Sequence, residues 1–166
     1  MPDVRIARRV EIKQRYKRKA RAQTRTAPQI ATLRLNDLAR LFRARYGITL
    51  PDDDAGRDDL FVALSHVAML SNSRDRMHRY VEIWAPWLTV AEARQVIDHA
   101  LTNPQRWKAD QLAWRMRLTA ADRAALGITT IGAVDLNRAG RIRLRKAKAR
   151  DRERARRARL KPACAP

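Results

Sequence analysis

Cysteine is almost missing from this chain: Cys164 stands alone, so an intramolecular disulfide and a cysteine-based zinc site are both excluded. Carboxylates are scarce too. Asp and Glu number 17 against 37 Lys and Arg, leaving a formal charge of +20 over 166 residues. No long apolar run exists. The longest stretch without Asp, Glu, Lys or Arg is Leu60–Ser73, shorter than the about 20 residues that span a bilayer. Arg5, Arg8 and Arg9 are followed by no apolar block, so no secretory signal is predicted. These absences predict a soluble, cytoplasmic protein. Glycine (5) and proline (7) are few, and they leave no Gly/Ser linker and no solenoid repeat. A glycine-rich phosphate loop, a nucleophile elbow and a Cys–His pair are all lacking, so no catalytic constellation, no cofactor and no enzymatic activity is expected.

What is present is charge, very unevenly placed. Met1–Pro28 carries a net +8, Gln29–Asn137 a net +1 and Arg138–Pro166 a net +11. A nearly neutral body, residues 29–135, is thus expected between a basic N-terminal arm (1–28) and a basic C-terminal helix and tail (136–166). Burying unpaired cations costs several kcal/mol each, so the arms should project from the body.

The body reads as all-α, with five to six helices. Leu35, Leu38, Leu41 and Phe42 recur at three- and four-residue spacing before the stop at Gly47. Leu60, Phe61, Leu64, Val67 and Ala68 repeat the pattern, entered through Asp58-Asp59. Met77, Tyr80, Val81 and Trp84 form a third stripe that Pro86 ends. Thr89-Val90-Ala91-Glu92 is a capping box ahead of Val96, Ile97, Ala100 and Leu101. Leu112, Ala113 and Met116 mark a fifth helix, and Thr119-Ala120-Ala121-Asp122 opens a short sixth. Ile128–Val134 alone has strand-like composition, with no partner strand in view. Beyond Asp135, a candidate N-cap, Leu136–Leu160 predicts a helix about 37 Å long, basic nearly all round. Two acid-before-base pairs support it, Asp151 with Arg154 and Glu153 with Arg157.

Such arms fit phosphate neutralisation, which gives strong, salt-dependent and largely sequence-independent affinity. The expected contacts are Arg141, Arg143, Arg145, Lys146, Lys148, Arg150, Arg152, Arg154, Arg156, Arg157 and Arg159 in the C-terminal arm. Arg8, Arg9, Lys13, Arg15, Lys17, Arg18, Lys19 and Arg21 support them from the N-terminal arm. A membrane surface is disfavoured, because neither arm pairs its charge with a bulky apolar face. Ala109–Ile128 has the spacing of a helix-turn-helix: Ala109–Met116, a turn at Arg117-Leu118-Thr119, then Ala120–Leu126. Arg117 stands where a turn glycine is usual, and Arg123 is the one long cationic side chain on the second helix. An ordinary helical hairpin satisfies the same spacing.

Trp84, Trp87, Trp107 and Trp114 are expected mainly in the core, with Trp107, between Arg106 and Lys108, the most exposed. His66, His78 and His99 fall on three different helices, so no metal site is expected. The acidic run Asp52-Asp53-Asp54 with Asp58-Asp59 lacks calcium-loop spacing. It reads as helix capping and solvated loop, with docking of a basic arm as a second use.

The stretch Leu118–Leu160 carries Arg123-x-x-Leu126-Gly127-Ile128, then Thr130-Ile131-Gly132-Ala133-x-Asp135, then the Arg/Lys helix. Over this quarter of the chain it resembles a group of small, uncharacterised basic proteins of alphaproteobacterial genomes and mobile elements. The resemblance implies a replication, transfer or regulatory accessory role on DNA and assigns no activity to individual residues. The sequence therefore predicts a non-enzymatic, nucleoid-associated DNA-binding protein that favours duplex DNA. The rivals are an RNA-binding ribonucleoprotein subunit and an adaptor for an acidic protein, and an oligomer is compatible with each.

Overall fold

The computed structural model describes residues 26–160, and among these every regular element is an α-helix. The seven helices are α1 (Ala27–Tyr46), α2 (Asp54–Val67), α3 (Ser73–Trp84), α4 (Val90–Thr102), α5 (Ala109–Arg115), α6 (Ala120–Ala125) and α7 (Arg138–Leu160). Six form the body and the seventh is the basic C-terminal helix.

α1 starts earlier than its apolar stripe implies. Pro28 is pre-set for a first helical turn, and the Gln29 side chain accepts from the Thr26 N–H at 2.9 Å. The helix therefore begins at Ala27, just inside the expected basic arm. Leu38, Leu41 and Phe42 are buried, and Gly47 ends the helix at φ +83° with its N–H on the Arg43 carbonyl.

α2 is the central helix, packed on α1, α3 and α4. The uncharged stretch from Leu60 supplies it: Leu60, Val62, Ala63, Leu64, Ser65, His66 and Val67 are all buried. Its start corrects the expectation at Asp58-Asp59. Asp53 is the N-cap, accepting from the Gly56 N–H at 2.7 Å, and the helix begins at Asp54. Asp59 instead lies within the helix, buried, and accepts from the Tyr46 hydroxyl at 3.0 Å.

α3 and α4 close the other side of α2, and the α4 capping box is present. Thr89 Oγ1 accepts from the Glu92 N–H, and the Glu92 carboxylate accepts from the Thr89 N–H. Trp84 is buried edge-on against Phe42, and Trp87 donates its indole N–H to the Leu50 carbonyl at 2.8 Å. Trp107 departs from the expectation of exposure. It is half-buried, stacked on His66 and edge-on to Phe61, while the exposed tryptophan is Trp114 at 71%. The cause is the α4–α5 connection, which lays Trp107 back over α2.

Ile128–Val134 forms no strand. It is a loop that laces the body together, with Ile128, Ile131 and Ala133 buried. The Gly132 N–H donates to the Ala109 carbonyl and the Val134 N–H to the Leu118 carbonyl. The buried carboxylate of Asp37 on α1 accepts from the Thr129 N–H, the Thr130 N–H and the Thr130 hydroxyl. Branched side chains here fill the core from a loop, which gives the segment its strand-like composition.

Candidate nucleic-acid interface

α7 leaves the body at a well-defined base. Asn137 is its cap, accepting from the Gly140 N–H at 2.9 Å, so the helix starts at Arg138 rather than behind Asp135. Asp135 has another use: its carboxylate accepts from the Ala120 N–H at 2.7 Å and so caps α6. Gly140 sits in the first turn because a Cβ there would come within 2.6 Å of the Leu136 side chain. Arg141 donates to the Leu136 carbonyl and to the carboxylate of Asp110 on α5, with its side chain only 17% exposed. Arg141, expected as a phosphate contact, is thus largely engaged in anchoring the helix.

Past this base no helix of the described residues packs extensively along α7. Arg143, Arg145, Lys146, Lys148, Arg150, Arg152, Arg154 and Arg159 are exposed. Arg156 and Arg157 are exposed as well, but both donate to the Glu153 carboxylate at 2.9 Å and hold it below the ordinary carboxylate range. The expected Glu153–Arg157 pair is therefore formed, whereas among the described residues Asp151 makes no ion pair with Arg154. Arg8, Arg9, Lys13, Arg15, Lys17, Arg18, Lys19 and Arg21 lie outside the described residues.

The cations of α7 fall into two ladders. Arg138, Arg141, Arg145, Lys148 and Arg152 follow one another at alternating three- and four-residue steps and so share one face. Arg143, Lys146, Arg150, Arg154 and Arg157, also three or four residues apart, lie on the opposite flank. The first ladder faces α6 across a cleft of about 570 Å³, whose body wall includes Ala120, Arg123 and Ala124.

α5, the turn and α6 have helix-turn-helix connectivity, with Arg117 at φ +44° in the position usual for glycine. α6 begins as expected, Thr119 Oγ1 accepting from the Asp122 N–H. Its alanines leave little to read base edges. Arg123 donates Nε to the Ile131 carbonyl at 2.7 Å and an Nη to the Thr129 carbonyl at 3.0 Å. Burial, and then the neighbouring Arg141 guanidinium, lowers its pKa from the ordinary arginine value. Arg123 is a fixed cation at the wall of the cleft, and sequence spacing could not reveal the two carbonyls that hold it.

The other sequence-level candidates resolve locally. Asp52 pairs with Arg57 at 2.9 Å and Asp58 with Arg115 at 3.1 Å, while Asp53 caps α2. That acidic run is internally used at these positions. His66, His78 and His99 lie on α2, α3 and α4. Among the described residues, no group of three or more His, Cys, Asp or Glu could hold a metal ion, and no helix is long and apolar enough to cross a membrane. Comparison of the chain with family models, with curated proteins and with solved structures finds no match.

Proposed function

We propose that this chain is a non-enzymatic DNA-binding accessory or regulatory protein, serving a plasmid, phage or integrated element and acting in the cytoplasm on the nucleoid. The observation that carries the reading is α7: 23 residues, two ladders of Arg and Lys, and exposure along nearly its whole length. An isolated helix with this density of like charge is marginal in water. A polyanion relieves the repulsion and releases its own condensed counterions, so binding and helix stability reinforce each other. Duplex DNA is favoured over folded RNA because α7 is one continuous helix lined for regular phosphate contacts and carries no aromatic side chain on which an unpaired base could stack. Sequence preference is expected to be weak, because α6 presents alanines.

The deciding experiment is a titration of the full chain with matched duplex DNA and RNA probes, with polyglutamate as competitor, across a salt series. About eight phosphate contacts give log K against log [salt] a slope of about −7 on duplex DNA. Deleting Arg138–Pro166 should lower that slope by several units. An unchanged slope rejects the C-terminal arm as the main contact. Preference for RNA, or displacement by polyglutamate as effective as by DNA, transfers the reading to a ribonucleoprotein subunit or an acidic-protein adaptor.

A further inference from the structure

We infer that the cleft between α6 and α7 seats the phosphodiester backbone of a single strand of the duplex, leaving the outer ladder of α7 outside that seat. The inference rests on the nucleic-acid reading and adds to it a defined path for one strand.

The cleft has the chemistry of a phosphate track. Its helical wall offers Arg138, Arg145, Lys148 and Arg152, with Ile142 and Leu144 beside them, and no carboxylate of the described residues lines it. The two acids of α7 are elsewhere: Asp151 is rotated about 100° from Arg152, and Glu153 is held by Arg156 and Arg157. From Arg138 to Arg152 the ladder runs about 21 Å, the rise of about six phosphates along one B-form strand. A cation therefore recurs about every 5 Å, roughly two for every three phosphates along the track. Even spacing of one sign matches a uniformly charged polymer.

The opposite wall is shaped for close approach. Ala120 and Ala124 present methyl groups where longer side chains would fill the space. Arg123 lies between them with its charge already positioned by the Ile131 and Thr129 carbonyls. Its neighbour Arg141 is positioned by the Leu136 carbonyl and Asp110. Arg141 is neutralised there by its carboxylate partner, whereas Arg123, fixed by neutral carbonyls, keeps its full charge and loses little side-chain entropy when a phosphate arrives. On the outer flank no such wall is formed by the described residues, and Arg143, Lys146 and Arg150 are exposed.

The test compares two charge reversals of equal size in the full chain: Arg145→Glu with Lys148→Glu on the cleft ladder, and Lys146→Glu with Arg150→Glu on the outer one. All four positions are exposed, so both variants should keep the parent melting temperature. With a duplex of about 20 base pairs, the cleft pair should lose about 30-fold or more in affinity and the outer pair about fivefold or less. Neutral methylphosphonates along one strand of the duplex should cost the parent far less affinity than along both, because the cleft can seat whichever strand stays charged. Equal losses in the two pairs, or as large a loss with one neutral strand as with two, overturn the cleft as the seat while leaving α7 as a general nucleic-acid contact. Failure of the parent chain to bind duplex while it binds polyglutamate removes the nucleic-acid reading itself, and this inference with it.

Discussion

Asp37 holds more of the molecule together than any other single carboxylate described above, and replacing it by alanine measures how much. Its side chain is 3% exposed and accepts from two backbone N–H groups, from the Thr130 hydroxyl and from Arg40. The substitution leaves the Thr129 and Thr130 amides without their acceptor. Each such loss costs about 1–3 kcal/mol when the donor is sealed from water. Thr129 is exposed and Thr130 half-buried, so water partly replaces the carboxylate and the lower half of that range applies. A small cavity adds to it, giving an expected loss of about 3 kcal/mol. For a body of this size that corresponds to a fall in Tm of about 10 °C. Asp37→Asn should recover little, since its amide keeps one acceptor oxygen and turns a donor toward other donors. Thermal and urea denaturation followed by circular dichroism read the change, and a loss under about 1 kcal/mol would refute the role assigned to the carboxylate. Because Thr129 and Ile131 hold Arg123, duplex affinity should fall in the same variant even where it remains folded.

His66 is buried, with Nδ1 2.8 Å from the Val62 carbonyl and Nε2 facing Arg34, and burial depresses its pKa from 6.5 to about 4. The unfolded chain therefore binds the extra proton first, so stability should fall by about 3 kcal/mol as pH drops from 6.5 to 4. Urea midpoints across that window check it, and His66→Gln should flatten the slope. Arg117, at φ +44° with an exposed side chain, should gain about 0.5–1 kcal/mol on conversion to glycine, seen as a higher Tm. Gly132→Ala should destabilise strongly, because the new Cβ would stand 2.8 Å from the Ala109 carbonyl and still closer to Asp110; an unchanged melt would show that the loop shifts freely. Arg123→Ala should lower stability by about 1–2 kcal/mol and weaken all duplexes alike, whereas selective loss on one preferred sequence would mean that α6 reads bases.

The helices were legible because their signals are local. Apolar spacing, the Thr89–Glu92 box, the Thr119 start and the Gly47 stop each act within one or two turns of chain. The α2 start was misplaced because several aspartates in a row all suit a helix N-terminus, and the Gly56 amide, not composition, selects Asp53. The same ambiguity gave α7 the wrong cap, since Asp135 and Asn137 are both cap-formers and only the packed body assigns Asp135 to α6. Charge placement alone exposed α7 as a candidate interface. What it could not expose is the difference between its two flanks, or the anchoring of Arg141 and Arg123, because these depend on partners up to 31 residues away in sequence. Trp107 and Trp114 exchanged expected roles for a similar reason: the fold of the α4–α5 connection, invisible to periodicity, decides which indole meets α2.

The base of α7 also has a mechanical meaning. A helix of 23 residues is about 34 Å long, and among the described residues it is gripped chiefly near Leu136, Gly140 and Arg141. It is a lever with a short root, so a tilt of about 10° at the root sweeps the far end through about 6 Å, nearly two phosphate rises. Anything that strains the Asp110–Arg141 contact is thereby amplified into a sideways displacement of the outermost cations relative to the body.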